Sequence, residues 1–192
     1  MEIQKSLLES SKLAHLNALK LEVSKCRKCR LGCEEINKIK VSFKPNPLAK
    51  ILFLALNPSN KKLEGETNSS PFSNRYYEDK RGKSGKLFFE MLDENIIDED
   101  YVCVANIVPC CTPDNTLKNV DLGVCNYIYK LIEILEPGVI VLLGNVPLNE
   151  SKIDKKIKIL KVFHPSYILR SPTMITKYKE QWHAIRIAYL KD

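Results

Sequence analysis

From Glu2 to about Val23 apolar residues recur at helical spacing, among them Leu7, Leu8, Leu13, Leu16 and Leu19. That periodicity predicts an amphipathic helix whose role is to cover a core. The run Lys50-Ile51-Leu52-Phe53-Leu54-Ala55-Leu56 is apolar throughout and stops at the turn Asn57-Pro58-Ser59-Asn60, as a buried strand does. Further along, the pattern predicts a helix over Lys86 to about Asn95, a strand over Tyr101–Val108, a helix from roughly Val120 to Leu135 and a strand over Gly138–Leu143. A last strand over Ile157–Phe163 and a helix over Lys177–Leu190 complete the chain. The polar segment from Asn60 to Gly85 has little periodicity, and a loop of that length in a compact domain is usually functional or disordered.

Strands that alternate with helices imply an α/β domain, here a three-layer α/β/α arrangement around a central, largely parallel four-stranded sheet. No internal repeat or composition break divides the 192 residues, so residues 1–192 are expected to form one domain. Three motif-like turns, after Leu56, Val108 and Phe163, all follow the carboxyl ends of predicted strands. In open parallel sheets that edge is where ligands bind.

Composition changes this picture in two ways. Thirty Lys and Arg against 23 Asp and Glu give a formal charge of +7, which favours a polyanionic partner such as nucleic acid. The longest apolar runs, such as Val139–Leu143, are far too short to span a bilayer, so a soluble intracellular protein with no membrane partner is expected. Seven cysteines, an odd number and grouped rather than spread, argue against a secreted disulfide framework and for a metal site in a reducing compartment.

Cys26-x-x-Cys29 places two thiols on one short loop, and Cys110 and Cys125 could supply two more, the latter from within the predicted helix over Val120 to Leu135. Four thiolates suit an iron–sulfur cluster or a structural zinc, with unrelated buried thiols as the alternative. The fourteen residues between Cys110 and Cys125 are unlike the spacing of a zinc ribbon. Cys33 and Cys111 lie close enough in sequence to substitute as ligands, whereas Cys103 sits inside an apolar strand and reads as a small core residue.

The strand-end motifs carry the other chemistry. Asn57 could orient a water with its amide, although Asn-Pro is also a common turn signal. Asn106 ends its strand with a side chain that is both donor and acceptor, suited to the edge of a nucleobase. The heptad His164-Pro165-Ser166-Tyr167-Ile168-Leu169-Arg170 combines a possible electrophile, a hydroxyl for phosphate, apolar side chains and a cation. Apolar wedges flanked by phosphate-binding groups are what a base-flipping protein requires.

Taken in order, these residues resemble the uracil-DNA glycosylase superfamily, and within it family four, the thermostable-type glycosylases with a [4Fe–4S] cluster. The resemblance runs from Cys26 to about Arg170. The family's C-x-x-C-x-L, its later N-x-x-x-C and its downstream cysteine fall on Cys26, Cys29, Leu31, Asn106, Cys110 and Cys125. Gly82–Leu87 is similar to the family's G-K-A-G-x-L, Leu135–Gly144 to its L-x-P-x-x-I-x-x-L-G, and His164–Arg170 to its H-P-S-x-L-L-R. Two departures stand out. Where family four has G-E-x-P-G, this chain has Ala55-Leu56-Asn57-Pro58-Ser59, which is closer to the G-x-N-P-G of the mismatch-specific and single-strand-selective branches. The loop before Gly82 is also expanded, so that Ser73–Arg81 separates Pro71-Phe72 from the Gly-rich turn.

The resemblance implies hydrolysis of the N-glycosidic bond of deoxyuridine in DNA, leaving an abasic site for base excision repair. It implies His164 and Asn57 as catalytic residues, the first bonding the developing uracil anion and the second placing the water. Ala55, Leu56, Phe72 and Asn106 would contact the base, with Phe72 stacked on it and Tyr76 or Tyr77 as alternative stacking residues. Ser166 would hold a phosphate, Ile168 or Leu169 would fill the vacated stack, and Arg170 would grip DNA. Cys26, Cys29, Cys110 and Cys125 would bind a [4Fe–4S] cluster, with zinc as the alternative. The protein is expected to act as a monomer on uracil-containing DNA in the cytoplasm, associated with the nucleoid when bound. The Leu56 replacement leaves room for an altered base preference, or for a cluster-bearing DNA-binding module that has lost chemistry. A zinc-stabilised protein-interaction domain is the third reading, and it leaves the heptad unexplained.

Overall fold

The computed structural model describes residues 2–34, 40–58, 71–72, 82–112, 120 and 122–191. Most of the predicted long loop, including Ser59, Tyr76 and Tyr77, lies outside the described residues. Helix α1 spans Glu2–Ser24 and a single turn, α2, spans Arg30–Cys33. Strand β1 (Ile51–Ala55) is followed by α3 (Lys83–Glu94), β2 (Val102–Asn106), α4 (Tyr127–Leu135) and β3 (Val139–Leu143). Strand β4 (Lys158–Val162), the short helix α5 (Pro165–Arg170) and α6 (Ile175–Tyr189) close the chain.

The four strands form one parallel sheet in the order β2-β1-β3-β4. Central strands β1 and β3 are buried at every position, which explains why they read as unbroken apolar runs. Alternate residues of β1 serve opposite layers. Leu52 and Leu54 pack with Leu16 and Leu19 of α1 and Ile128 and Leu131 of α4. Ile51, Phe53 and Ala55 pack with Phe88 of α3, Ile168 of α5 and Tyr178 and Trp182 of α6. The result is the expected three-layer α/β/α sandwich.

Both sheet edges are protected from pairing with other chains. Edge strand β4 presents Lys158 and Lys161 to solvent, while the backbone before β1 crosses the outer edge of β2 through an antiparallel bridge between Phe43 and Ala105. Helix α4 ends where Glu136 turns left-handed at φ 48° ahead of Pro137, and Lys12 of α1 donates to the Leu135 carbonyl at 3.0 Å. Among the described residues no helix is long and apolar enough to cross a membrane.

Three departures from the sequence pattern bear on the site. Helix α4 begins at Tyr127 rather than near Val120, so Cys125 lies just before a helix and not within one. Helix α3 begins at Lys83, three residues early, because Gly82 and Ser84 are compatible with a first helical turn that shows no apolar periodicity. The heptad after β4 is a helix of six residues, too short for a 3.6-residue repeat to announce it.

Candidate active site

Because all strands run parallel, the turns after β1, β2 and β4 all lie at the carboxyl end of the sheet. The β1–β2 pairing continues past the strands, with the Ile107 and Val108 N–H groups donating to the Ala55 and Leu56 carbonyls at 2.8 and 2.9 Å. This extension keeps Asn57 beside the segment that follows Asn106.

His164 is the N-cap of α5, and Pro165 takes the first helical position, where its missing N–H costs nothing. The Ser166 N–H donates to His164 Nδ1 at 3.1 Å, and the Ser166 hydroxyl lies 2.8 Å from the same nitrogen. A backbone N–H only donates, so Nδ1 is the acceptor and the neutral ring carries its proton on Nε2. Burial, followed by the charge of Arg170, lowers the imidazole from its ordinary value to about 4. The ring is therefore neutral at physiological pH, a hydrogen-bond donor without a charge. Gly144, at the end of β3, sits at φ +81°, and a Cβ there would lie 3.4 Å from His164 Cβ. A side chain at that position would strain the backbone and press on the histidine.

Phe72 stands beside this ring, with centroids 5.9 Å apart and planes tilted by 42°. It stacks on Phe88 of α3 at 4.9 Å, and its own backbone is held at φ 54°, a conformation non-glycine residues seldom adopt. The fold thus invests strain in presenting this aromatic at the histidine.

The Asn57 amide donates to the Pro58 carbonyl and to the Thr112 hydroxyl oxygen, both at 3.1 Å. Asn106 is buried, and its Nδ2 donates to the Val41 carbonyl at 2.8 Å, leaving one amide N–H and Oδ1 without a partner among the described residues. Ala55 is buried at the end of β1 and Leu56 is partly buried, so no carboxylate stands at that position.

Of the heptad residues expected to meet DNA, Leu169 and Arg170 are exposed, but Ile168 is 4% exposed and belongs to the core with Trp182. Ile168 is therefore corrected from a wedge to a packing residue, and Leu169, 41% exposed, is the aliphatic side chain that can leave the protein surface. Ser166 has its hydroxyl on His164 rather than turned outward.

Cys103 and Cys110 belong to the other core layer, with Leu16 and Ile128. Cys29 caps α2, and the loop folds back so tightly that a Cβ on Gly32 would come within 2.9 Å of the Cys26 carbonyl oxygen. Burial pushes the Cys110 thiol up to about 12, with Lys40 opposing this and Cys125, Cys29 and Cys26 adding to it. Those four thiols are thus electrostatic neighbours drawn from three separate segments, and their donor chemistry fits a thiolate-bound metal centre. Among the described residues no three His, Cys, Asp or Glu side chains are drawn together closely enough to form a metal cage by themselves. Cys103 is 2% exposed inside β2 with its thiol on the Lys44 carbonyl, while Cys33 is exposed and Cys111 buried.

Two residues at the site were invisible to sequence reasoning. Thr112 is 1% exposed and holds the Asn57 amide, and Tyr127 donates its hydroxyl to the Asn106 carbonyl. Each acts on a residue far away in sequence, and neither has a local signature.

A family-wide sequence pattern described as "Uracil DNA glycosylase superfamily" matches residues 43–187. A protein of Thermotoga maritima named Type-4 uracil-DNA glycosylase is 30% identical, over 78% of this chain and 80% of that protein. One of Archaeoglobus fulgidus with the same name is 26% identical, over 85% of this chain and 88% of that protein.

Proposed function

Since the chain belongs to the uracil DNA glycosylase superfamily, we propose that it hydrolyses the N-glycosidic bond of deoxyuridine in DNA, releasing uracil and leaving an abasic site. The observation that carries this reading is the half-buried imidazole of His164, held through Nδ1 by Ser166 and standing beside the Phe72 ring.

The C1′–N1 bond breaks as its electron pair moves into the base, so negative charge gathers on uracil and positive charge on the sugar. His164 Nε2–H donates to a carbonyl oxygen of the departing uracil, and because the ring is already neutral it stabilises the anion without giving up its proton. Phe72 stacks on the flipped base, a contact worth roughly 1–3 kcal/mol that helps offset an unstacking cost of a few kcal/mol. Asn106 reads the base edge with its remaining N–H and Oδ1.

Both Asn57 amide protons are engaged. Only Oδ1 is left to face substrate, so it accepts from a water and turns that oxygen's lone pair toward C1′. The new C1′–O bond forms as the water's second proton passes to solvent. With Leu56 where an acid would stand, the water is positioned rather than deprotonated, and slower turnover follows. Leu169 fills the gap left by the flipped nucleotide and Arg170 binds the backbone.

Cys26, Cys29, Cys110 and Cys125 would hold a [4Fe–4S] cluster, with zinc as the alternative. Such a group would cross-link the α2 loop, the segment after β2 and the start of α4. The protein would act as one domain and as a monomer, on DNA in the cytoplasm.

Leu56 also favours a second reading, a protein of the same fold whose base preference has moved or whose chemistry is lost. One assay separates the two. Single- and double-stranded oligonucleotides carrying uracil, hypoxanthine or thymine are incubated with the protein and any abasic sites are cleaved with alkali. Uracil-dependent cleavage that His164→Ala abolishes supports the glycosylase, whereas tight DNA binding with no base released rejects it.

A further inference from the structure

Lys40 is 4% exposed, and lysine is seldom buried to that degree unless an anion stands near it. Its place is set by the backbone that follows. The Val41 N–H donates to the Pro109 carbonyl at 2.8 Å and the Asn106 N–H to the Ser42 carbonyl at 3.0 Å, ahead of the antiparallel bridge between Phe43 and Ala105. The chain leaving Lys40 therefore runs along the segment that carries Cys110.

The side chain reaches the other cysteine segment. Its ammonium donates to the Gly32 carbonyl at 3.1 Å, and Lys40 lines the same cavity as Cys26. Lys40 thus joins the loop of Cys26 and Cys29 to the segment of Cys110, and its charge opposes the effect of burial on the Cys110 thiol.

Burial gives that charge its reach, because a charge inside a protein acts on its neighbours more strongly than in water and is less screened by salt. Four thiolates outweigh the positive charge of an iron–sulfide core, so a [4Fe–4S] group held by Cys26, Cys29, Cys110 and Cys125 would be an anion, and an added electron would make it more so. The potential of such a group follows the net charge around it, the hydrogen bonds to its sulfurs and its exposure to solvent. A fixed ammonium nearby stabilises the reduced form more than the oxidised one.

We infer that Lys40 is the internal counter-cation of the cysteine site: its ammonium, held on the Gly32 carbonyl between the loop of Cys26 and the segment of Cys110, raises the reduction potential of the bound cluster. This rests on the cluster reading made above. Lys40 is not a ligand and touches no DNA; it acts only through the charge it sets at the thiolates.

The test reads the potential rather than excision. Wild type, Lys40→Gln and Lys40→Arg are purified anaerobically, and reduction of the cluster is followed by electron paramagnetic resonance through a redox titration. Lys40→Gln keeps a donor for the Gly32 carbonyl and loses the charge. Its potential should fall by about 59 mV or more, a tenfold change in the one-electron equilibrium. Lys40→Arg keeps the charge and should stay near the wild type. A merely structural role moves the potential the other way, since a loosened loop admits water, which solvates the more highly charged reduced form. An unchanged or raised potential in Lys40→Gln overturns the inference, and so does a Lys40→Arg protein that falls as far. A colourless wild type holding zinc fails the cluster reading first, whereas a brown wild type whose potential ignores the Lys40 charge fails this inference alone. Should Lys40→Gln not retain its cluster, Lys40→Met fills the space without a charge, and the same fall is required of it. Loss of the cluster from both neutral variants would make Lys40 a structural clamp and overturn the inference, as would a wild-type cluster that dithionite cannot reduce.

Discussion

The Asn57 amide donates to the Thr112 hydroxyl oxygen across 3.1 Å, joining the turn after β1 to the segment after β2. A second donation from the same nitrogen to the Pro58 carbonyl removes any choice in how the amide is turned. Flipping it would set Oδ1 against the Pro58 carbonyl oxygen, which cannot donate, a repulsive arrangement. Thr112→Val keeps the shape but removes the acceptor, so Asn57 should lose its fixed orientation. A neutral hydrogen bond contributes about 0.5–1.5 kcal/mol, which predicts a two- to tenfold slower single-turnover excision. Thr112→Ser should stay near wild type. Equal rates for the valine and serine variants would show that the amide needs no such support.

His164 sets an expectation for pH. Its imidazole is lowered to about 4 by burial and then by Arg170, against an ordinary value near 6.5. Excision should therefore show no inflection between pH 5.5 and 7.5 that disappears in His164→Gln. The linkage has a definite sign. The unfolded chain binds the proton first as pH falls, so this group favours the folded state above about 6.5 and loses that contribution as pH falls towards 4. Replacing His164 with Gln should accordingly flatten part of the fall in thermal midpoint across that window. A midpoint with the same pH dependence in both proteins would place the imidazole in a more open setting.

The sheet was legible because β1 and β3 are buried on both faces and therefore continuously apolar, and because strand ends followed by Asn57, Asn106 and His164 fall at one edge by parallel geometry alone. Tertiary contacts were less legible. Ile168 and Leu169 are adjacent aliphatics of equal appearance in sequence, and only the packing of α5 against α3 decides which of them faces inward. Thr112 and Tyr127 matter through partners 55 and 21 residues away, a separation that no local pattern encodes. The start of α4 was misplaced because the residues before Tyr127 include apolar positions whose spacing imitates a helix while the chain is in turns.

The contrast between those two aliphatics is itself testable. Ile168→Ala removes a side chain 4% exposed in a packed cluster and should cost about 2–5 kcal/mol of stability. Leu169→Ala removes one that is 41% exposed, so the thermal midpoint should barely move. Its effect should instead fall on uracil excision from duplex DNA, with much less on single-stranded DNA, where no stack needs to be filled. Urea melts paired with excision rates on both substrates would check this. A Leu169→Ala protein that works equally well on duplex DNA would remove the wedge from the mechanism.

The cysteines divide by surroundings, and iron content should divide with them. Cys103 is closed inside β2 and pushed up to about 12 by burial alone, so Cys103→Ala should cost packing energy and leave bound metal unchanged. Cys110 is likewise pushed up by burial, but Cys125, Cys29 and Cys26 lie within electrostatic reach, a repulsion that a bound cation would reverse. Cys125→Ala should therefore lose most of the iron and sulfide measured after anaerobic purification, together with the brown absorbance near 400 nm typical of thiolate-bound clusters, and should lower the thermal midpoint by releasing the start of α4. Cys33→Ala, at an exposed thiol on the Arg27 carbonyl, should retain both. Stoichiometric zinc in a colourless wild-type protein would replace iron in this scheme while leaving the ligand assignments to be judged by the same variants.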